Sequence, residues 1–210
     1  MSADLLDKLR AAGQRLAAFE AAGRTPLDTV IDAVLGPGEV VIGGRRMLMF
    51  GSNNYFGLTF HPEVMAAARA AVDRYGTGTT GSRVANGTLA IHEELEQALA
   101  AFKQTEAALV FPTGYLANLG VVTALVGPGD LVLADRLVHA SLVDACRLSR
   151  AAFRVYPHGD VERLRALLTR RRGVRRTLVV TESVFSMDGD VAPLPALWEA
   201  ARAHDAWLLV

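Results

Sequence analysis

Residues 177–190 read Thr-Leu-Val-Val-Thr-Glu-Ser-Val-Phe-Ser-Met-Asp-Gly-Asp, an apolar run followed by a polar one. The first five residues, 177–181, are rich in β-branched side chains, which is typical of a buried strand. Similar apolar runs occur at 131–134 and 153–156, and helical periodicity separates the three runs. This alternation predicts an α/β fold of three layers, in which a mostly parallel sheet carries helices on both faces.

The remaining elements follow from the same two periodicities. Helices are predicted at 5–19, 62–75, 89–102 and 194–203 and after residues 114, 139 and 160, and strands at 47–50, 107–111 and 207–210. Glycine and proline are frequent between Gly23 and Gly44, which indicates turns and a linker. We therefore expect an N-terminal helix and linker over 1–45 and one large domain over 46–210. Because the last residues form an apolar strand, we expect that domain to be incomplete on its C-terminal side.

Composition excludes several classes of protein. Hydrophobic residues make up 51% of the 210 residues and charged residues 21%, which excludes a disordered chain and a highly charged coiled coil. Lys and Arg together number 22, as do Asp and Glu, so the zero net charge favours neither nucleic acid nor an anionic membrane. The arginine-rich run at 170–176 has no interleaved aromatic residues, and it predicts a charged loop.

The sequence also bears on location. The single cysteine, Cys146, can form no internal disulfide, which fits a reducing compartment. Charged residues interrupt the N-terminal leucines, so no secretory signal is predicted. The longest uncharged stretch, between Glu106 and Asp130, is interrupted by Pro112 and Gly114, so no membrane span is predicted either. We expect a cytoplasmic protein.

Polar side chains follow three of the predicted strands. Thr113-Gly-Tyr115 lies between a strand and a helix, where the free N–H groups of a helix N-terminus suit a phosphate monoester. His139 and Ser141 follow the strand at 131–134, and hydroxyl and carboxylate groups fill 181–190. Because the carboxyl ends of parallel strands share one edge of the sheet, these clusters predict one concave polar site.

Two other patterns have simpler interpretations. Residues 76–81, Gly-Thr-Gly-Thr-Thr-Gly, match the dinucleotide fingerprint G-x-G-x-x-G, but a helix precedes them where that fingerprint needs a strand. The segment is better interpreted as a loop between helices, whose small residues would let its backbone approach a ligand closely. A nicotinamide-dependent dehydrogenase remains the alternative. His92 and Glu96 share a helix face without the second histidine of a zinc protease, so no metal site is predicted.

Six segments occur in a fixed order along residues 45–210: 52–58, 76–87, 92–96, 113–115, 139–141 and 182–190. Together they resemble the α-oxoamine synthases, which are pyridoxal-phosphate enzymes of the fold-type-I aminotransferase class. Within that family, Thr59-Phe60, Gly81-Ser-Arg83 and the run 114–120 are most similar to bacterial serine palmitoyltransferases, and 8-amino-7-oxononanoate synthases come next. The resemblance implies a fold-type-I large domain, truncated at its C-terminal side, with pyridoxal 5'-phosphate as cofactor.

The resemblance also implies roles for residues of the predicted polar site. Thr113, Gly114 and Tyr115 would hold the cofactor phosphate, with the backbone N–H groups of the last two as donors. His139 would be the catalytic residue that stacks on the pyridine ring, and Ser186 would bond near the phenolic oxygen of that ring. A flat imidazole in this place positions the electron-deficient ring and excludes water from it.

On the substrate side, the resemblance implies Asn53, Asn54, Ser82 and Arg83, across the interface of a homodimer that shares its active site. Ser82 stands where glycine-using members of the family usually have threonine. Because serine lacks the threonine methyl group, we expect the pocket to admit a substrate side chain, with serine favoured over alanine.

The implied reaction is the decarboxylative condensation of an amino acid with an acyl-CoA or acyl-carrier-protein thioester to a 3-keto amine. Within the family, the alternative joins alanine to a pimeloyl thioester. The family's cofactor-linking lysine comes after the strand that ends here at Val210, and both Lys8 and Lys103 lie in predicted helices. We therefore expect a segment of an enzyme, with a lysine-less, non-catalytic dimer partner as the alternative from another class.

Overall fold

The computed structural model describes residues 6–23 and 29–210. Contacts between Cα atoms divide the chain into two compact units, an N-terminal unit up to Thr88 and a C-terminal unit from Leu89 to Val210. The domain boundary expected between residues 45 and 46 stays a prediction. In the described ranges, no helix is long and apolar enough to cross a membrane.

In its described residues, the N-terminal unit combines two α-helices with a small antiparallel sheet. Its elements are α1 (Asp7–Ala21), β1 (Ala33–Gly36), β2 (Glu39–Ile42), β3 (Arg45–Leu48) and α2 (Pro62–Tyr75), with a 3-10 turn at Leu58–Phe60. The three strands pair in the order β1-β2-β3. The helix predicted at 5–19 is present from Asp7 onward, and its predicted first residue, Leu5, lies outside the described residues.

Three strands occupy much of residues 33–48, where the glycines and prolines predict a linker. The strand predicted at 47–50 from its apolar run overlaps β3 only at Met47 and Leu48, because β3 runs from Arg45 to Leu48. Gly43 and Gly44 have φ values of 56° and 73°, the left-handed conformation of a two-residue hairpin turn. Gly36, Pro37 and Gly38 lie at the other turn, between β1 and β2. The glycines and prolines that suggest a linker therefore close two hairpins.

Four parallel strands form the sheet of the C-terminal unit. They are β4 (Leu131–Asp135), β5 (Ala152–Tyr156), β6 (Thr177–Val180) and β7 (Trp207–Leu209), in the spatial order β5-β4-β6-β7. The central strands β4 and β6 are buried along their whole length. Burial on both faces explains why their sequences are continuous apolar runs rather than alternating ones. The strands predicted at these four places are confirmed.

The C-terminal unit has five helices: α3 (Ala90–Lys103), α4 (Gly114–Leu125), α5 (Ala140–Leu148), α6 (Val161–Arg170) and α7 (Leu194–Ala203). The chain passes from β4 through α5 to β5 in one direction across the sheet, and through α6 and α7 to β6 and β7 in the other. Because parallel crossovers are right-handed, α5 lies on one face and α6 and α7 on the opposite face. Since α4 packs against α5 and α6 against α7, the expected three-layer α/β fold is confirmed.

The strand predicted at 107–111 is wrong. Val110 donates its backbone N–H to Glu96 Oε1 on α3, at 2.9 Å, instead of to a neighbouring strand. Leu109 remains 68% exposed, so the run lacks the sheet contacts that would bury its apolar side chains. An apolar run alone does not supply the pairing partner that a strand needs.

The hydrophobic core of the C-terminal unit fills the space between sheet and helices. Leu133 of β4 and Val179 of β6 are fully buried, and so are Leu164 of α6 and Leu197 of α7. The neighbouring strands β4 and β6 lead into helices on opposite faces, since α5 follows one and α7 the other. Such a topological switch point leaves a crevice beyond the carboxyl ends of the two strands.

Candidate active site

A cavity of about 430 Å³ lies at that crevice, beyond the carboxyl ends of β4, β6 and β7. Its volume falls within the range of small-molecule sites. The lining comes from four places in the C-terminal unit: Gly114, Tyr115, Asn118, His139, Ser141, Leu142, Thr181, Glu182, Ser183, Val184, Ser186, Leu209 and Val210. The structure thus brings Gly114, Tyr115, His139 and Ser186, all predicted from the sequence, to one cavity.

The N-terminus of α4 presents free backbone donors to this cavity. Thr113 caps the helix, since its Oγ1 accepts the Leu116 N–H at 3.1 Å. In the part of the chain that the structure describes, neither the Gly114 N–H nor the Tyr115 N–H has an acceptor. The first N–H groups of a helix have no partner within it and carry the positive end of its dipole. This pair of donors therefore suits an anion.

Two details keep this donor pair accessible and in place. A Cβ atom built on Gly114 meets no protein atom within 4 Å, so the position opens onto free space. Tyr115 donates its hydroxyl to Asp144 Oδ2 on α5 at 3.0 Å. That hydrogen bond to Asp144 raises the pKa of the tyrosine, with smaller contributions from desolvation and from the charge of the carboxylate. Thr113 itself does not line the cavity, and its side chain serves the helix cap.

His139 is oriented by a chain of hydrogen bonds from two helices. Its Nδ1 accepts the Ser141 N–H at 3.2 Å and lies 2.6 Å from Ser141 Oγ. Asn118 of α4 donates its side-chain N–H to that same Oγ at 2.8 Å. Because the Ser141 N–H can only donate, Nδ1 is the acceptor, and in the neutral ring the proton is on Nε2. The tautomer and the plane of the His139 ring are thereby fixed.

The segment after β6 completes the cavity wall. Glu182 Oε1 accepts the backbone N–H of His139, which connects the end of β6 to the start of α5. Ser186 is exposed, and its hydroxyl forms no hydrogen bond within the described residues, so it is available to a ligand. In the residues that the structure describes, no cluster of His, Cys, Asp or Glu could hold a metal ion.

Asn118 lines the cavity but is not among the predicted site residues, whereas Ser141 and Glu182 belong to the predicted polar clusters without an assigned role. Asn118 lies four residues after Gly114, and helical spacing places such residues on one face. Ser141 follows His139 by two residues at the start of α5, where side chains commonly cap backbone N–H groups. The spacing from Gly114 is the sequence signal that could have identified Asn118, and the spacing from His139 indicates the role of Ser141.

The four predicted substrate residues lie in the N-terminal unit. Asn54 uses its side-chain amide locally, donating to Thr59 Oγ1 at 2.8 Å and accepting the Thr59 N–H at 3.3 Å. Arg83 donates its Nε–H to Thr88 Oγ1 at 3.0 Å. Asn53 and Ser82 are exposed. Their contact with a substrate stays a prediction.

The glycine-rich loop is compact rather than open. A Cβ atom built on Gly81 would lie 1.9 Å from Asn86 Oδ1, and one built on Gly87 would lie 2.0 Å from the Gly81 carbonyl oxygen. Only glycine fits at position 87, where the close atoms are backbone, whereas a side chain at position 81 would require the Asn86 side chain to move. Since α2 ends at Tyr75, the loop follows a helix, and the strand that a dinucleotide fingerprint requires is not there.

The donor set of the cavity fits pyridoxal phosphate. The two free N–H groups at α4 match a phosphate monoester, and the open space at Gly114 lets it approach the backbone. The exposed, oriented imidazole of His139 matches an aromatic ring, and the free hydroxyl of Ser186 matches a ring substituent.

Comparison with known proteins gives the same assignment. Residues 45–210 match the aminotransferase class I and II family. The 8-amino-7-oxononanoate synthase of Geobacter sulfurreducens is 56% identical over 172 residues, which cover 82% of this chain and 44% of that one. The chain spans about half the length of the curated relatives it matches.

Solved structures resemble the chain over nearly its whole length. A serine palmitoyltransferase variant from S. paucimobilis with bound PLP and myriocin has a TM-score of 0.96 at 41% identity, covering 99% of this chain and 52% of that one. The serine palmitoyltransferase of Sphingomonas wittichii has a TM-score of 0.94 at 44% identity, with the same coverage. Both enzymes named by these matches are α-oxoamine synthases, as the motifs predict, and the chain belongs to the aminotransferase class I and II family.

Proposed function

We propose that the cavity binds pyridoxal phosphate and that the chain supplies the cofactor-binding part of an α-oxoamine synthase. The reaction is the condensation of an amino acid with an acyl thioester to a 3-keto amine, with release of carbon dioxide and of the free thiol. One observation carries the proposal: the free N–H groups of Gly114 and Tyr115 line the same cavity as the oriented ring of His139 and the free hydroxyl of Ser186.

The start of α4 binds the phosphate. The Gly114 and Tyr115 N–H groups donate to its oxygens, and the helix dipole favours its negative charge. The hydrogen bond from Tyr115 to Asp144 holds the tyrosine side chain against α5, away from the donor pair. The Thr113 cap keeps the first turn of α4 in the geometry that aims these N–H groups.

His139 and Ser186 orient the ring of the cofactor. The Asn118–Ser141 hydrogen bonds fix the His139 ring plane and leave the Nε2 proton as a donor for the substrate. Ser186 would donate its hydroxyl to the phenolic oxygen, and the apolar side chains of Leu142 and Leu209, which line the cavity, would limit the access of water. When bound, pyridoxal phosphate supplies an electron sink that stabilises negative charge at the α-carbon of the amino acid.

Two candidate reactions fit this proposal, and they differ in the amino acid and in the acyl group. A serine palmitoyltransferase-like reaction of serine with a long-chain acyl-CoA is supported by the TM-score of 0.96 and, through the resemblance, by Ser82. An 8-amino-7-oxononanoate synthase-like reaction of alanine with a pimeloyl thioester is supported by the 56% identity. We propose a homodimer and a cytoplasmic location for either enzyme.

Binding of a matched pair of ligands tests the cofactor site in the full chain. Pyridoxamine phosphate and pyridoxamine differ only in the phosphate and carry no aldehyde that could react with lysines. Isothermal titration calorimetry should show binding of the first that is stronger by about tenfold or more, because only the phosphate reaches the α4 donors. Equal affinities, or no binding of either compound, would contradict the proposal.

Steady-state kinetics of the complete enzyme separates the two candidates. The kcat/KM values for serine and alanine are measured with palmitoyl-CoA and with a pimeloyl thioester. One methyl or hydroxyl group in a pocket discriminates by about 1–3 kcal/mol, so a preference of about tenfold or more is expected for the true pair. A preference for glycine would contradict both candidates.

A further inference from the structure

His158, at the start of the β5–α6 connection, has a carboxylate at each ring nitrogen. Its Nδ1 lies 2.9 Å from Asp135 Oδ1, and its Nε2 lies 2.7 Å from Asp190 Oδ2. A carboxylate can only accept hydrogen bonds, so each nitrogen must carry a proton to satisfy both contacts. The geometry therefore requires a positively charged imidazolium between two carboxylates.

Asp135 is the fixed end of this arrangement. It is the last residue of the central strand β4 and is only 1% exposed. Besides His158, it accepts the Leu137 N–H and the Gly159 N–H, both at 2.9 Å. The Asp135 carboxylate is therefore held by backbone N–H groups of the β4–α5 and β5–α6 connections, and its own backbone is held in β4.

Asp190 belongs to a segment that folds back on itself after β6, which we call the 183–192 hairpin. Phe185 donates its N–H to the Asp190 carbonyl at 3.0 Å, and Ala192 donates its N–H to the Ser183 carbonyl at 3.1 Å. Val184 and Val191 form an antiparallel bridge between the two legs. Ser183, Val184 and Ser186 of this hairpin line the cavity.

The His158 ring contacts both legs of the hairpin. The edge contact with Phe185 on the first leg has a centroid distance of 4.4 Å and an interplanar angle of 88°. The bond to Asp190 holds the second leg. One side chain therefore connects the whole hairpin to the end of β4.

We propose that His158 is a positioning residue whose charged ring fastens the 183–192 hairpin to Asp135 and thereby holds Ser186 at the cavity. His158 itself is absent from the cavity lining, so it acts through the hairpin. The identity of the ligand at Ser186 rests on the proposed function. The connection of the hairpin to Asp135 through His158 does not depend on that function.

The surroundings of the ring set the direction of its pH dependence. The pKa of His158 is raised from 6.5 by the hydrogen bond to Asp135 first and by that to Asp190 second, against a smaller opposing effect of burial. Tyr156 lies near Asp135, and burial and that carboxylate raise the pKa of its hydroxyl, so it stays neutral. The Asp160 carboxylate accepts the Arg163 N–H and caps α6. The hydrogen bonds from the charged His158 ring to Asp135 and Asp190 stabilise the hairpin fully below the pKa of histidine in the unfolded chain. This stabilisation is lost as the pH rises through the raised pKa of His158 in the folded chain.

Amide hydrogen exchange of the full chain, without cofactor, tests the fastening. Glutamine at position 158 lacks the positive charge and the two separate ring N–H groups of the imidazolium. In His158→Gln, the amides of the 183–192 hairpin should therefore exchange faster by about tenfold or more, while those of β4 and β6 keep their protection. His61→Gln is the matched control, since His61 is an exposed histidine that makes no side-chain cap bond at α2. Unchanged exchange in His158→Gln would overturn the proposal.

The wild-type chain gives a second, independent measurement that requires no variant to fold. The His158 ring resonances, followed by NMR between about pH 6 and pH 9, should titrate above the ordinary histidine value. Hairpin protection factors, corrected for intrinsic exchange, should fall over the same pH interval. Protection that is independent of the His158 titration would overturn the proposal.

Ligand binding then distinguishes the two proposals. His158→Gln should weaken pyridoxamine phosphate binding by about threefold to tenfold, because Ser186 is no longer held in place. If pyridoxamine phosphate fails to bind even the wild-type chain, the cofactor proposal fails while the exchange result still decides the fastening. If the wild-type chain binds and the hairpin exchange is unaffected in the variant, only the fastening fails.

Discussion

Gly114 offers its backbone N–H to the cavity and has no side chain that would block the approach of a phosphate. The variant Gly114→Val tests whether this open approach matters for binding. Because a Cβ atom at Gly114 meets no protein atom within 4 Å, valine should fit the folded chain while crowding the approach to the N–H groups. We expect pyridoxamine phosphate affinity to fall by about tenfold or more, with a change in Tm of only a few degrees. Calorimetry and thermal unfolding measure the two effects.

Gly13→Val is the matched control, because Gly13 lies in α1 and a Cβ atom there also meets no atom within 4 Å. This variant should keep the wild-type affinity. If Gly114→Val unfolds the chain, or binds as well as Gly13→Val, the glycine serves the turn and not the ligand.

His139 is tested by two substitutions that divide its proposed roles. His139→Phe keeps a flat ring but loses the Nδ1 acceptor and the Nε2 proton, whereas His139→Ala loses the ring as well. We expect pyridoxamine phosphate affinity to fall by about tenfold in the alanine variant and by less in the phenylalanine variant. In the complete enzyme, kcat should fall in both variants, since neither offers the Nε2 donor. Wild-type affinity and kcat in both variants would make His139 structural.

The sequence could place His139 and Ser141 at the site, but it could not show the hydrogen bond from Asn118 that helps to orient them. His139 stands just beyond an apolar run, and strand ends are where parallel sheets place ligand groups. Asn118 is 23 residues from Ser141, on a different helix, and only the packing of α4 against α5 brings its side-chain amide to 2.8 Å from Ser141 Oγ. Side-chain bonds between distant elements depend on tertiary packing, which the local sequence pattern does not contain.

At the scale of elements, prediction succeeded where burial imposes a simple pattern. The central strands β4 and β6 are covered on both faces, so each is an uninterrupted apolar run. The run at 107–111 is also apolar, yet its Val110 N–H pairs with a side chain of α3 and no strand forms. β2 contains the β-branched run Val40-Val41-Ile42, but the glycines and prolines on both sides of it favour a linker, and the prediction omits β1 and β2.

The amino ends of β4 and β6 are joined by the ion pair of Asp130 and Arg175. Arg175 contacts both carboxylate oxygens at 3.1 Å, and Asp130 is 1% exposed. The hydrogen bond from Arg175 lowers the pKa of Asp130, against a raising effect of burial, and the Gly127 N–H adds to the lowering.

Arg175→Gln should therefore lower the Tm by a few degrees at neutral pH, because it leaves a buried carboxylate without its cation. Since the folded pKa of Asp130 lies below the ordinary value of 3.8, this contribution is complete above that value and is lost as the pH falls through the lowered pKa. Thermal unfolding of the two proteins should give Tm values that converge in acid. Arg172→Gln is the control, because Arg172 is an exposed arginine of the same connection with no ion pair in the described residues, and an equal loss in both variants would contradict the argument.

On the scale of the whole molecule, the two units carry different parts of the proposed enzyme. Every residue that lines the candidate cofactor cavity belongs to the C-terminal unit, whereas Asn53, Asn54, Ser82 and Arg83 belong to the N-terminal unit. Motifs in both units carry the resemblance to α-oxoamine synthases, and the family match begins at residue 45 and runs through both. The resemblance places these four substrate residues across the interface of a homodimer. A test of the proposed homodimer is therefore also a test of their role.

Exposed aromatic side chains in the N-terminal unit predict that the chain self-associates. Phe50 and Phe56 are each 89% exposed and Tyr55 is 84% exposed, all between residues 50 and 56. Large apolar groups so close together are costly to leave in water and commonly mark an interface. Sedimentation equilibrium should give twice the 22.4 kDa mass of the chain, and the double variant Phe50→Ser, Phe56→Ser should shift the equilibrium toward the monomer. Leu148→Ser, at a 60% exposed position of α5, should leave the dimer intact, and a monomeric wild-type chain would refute the prediction.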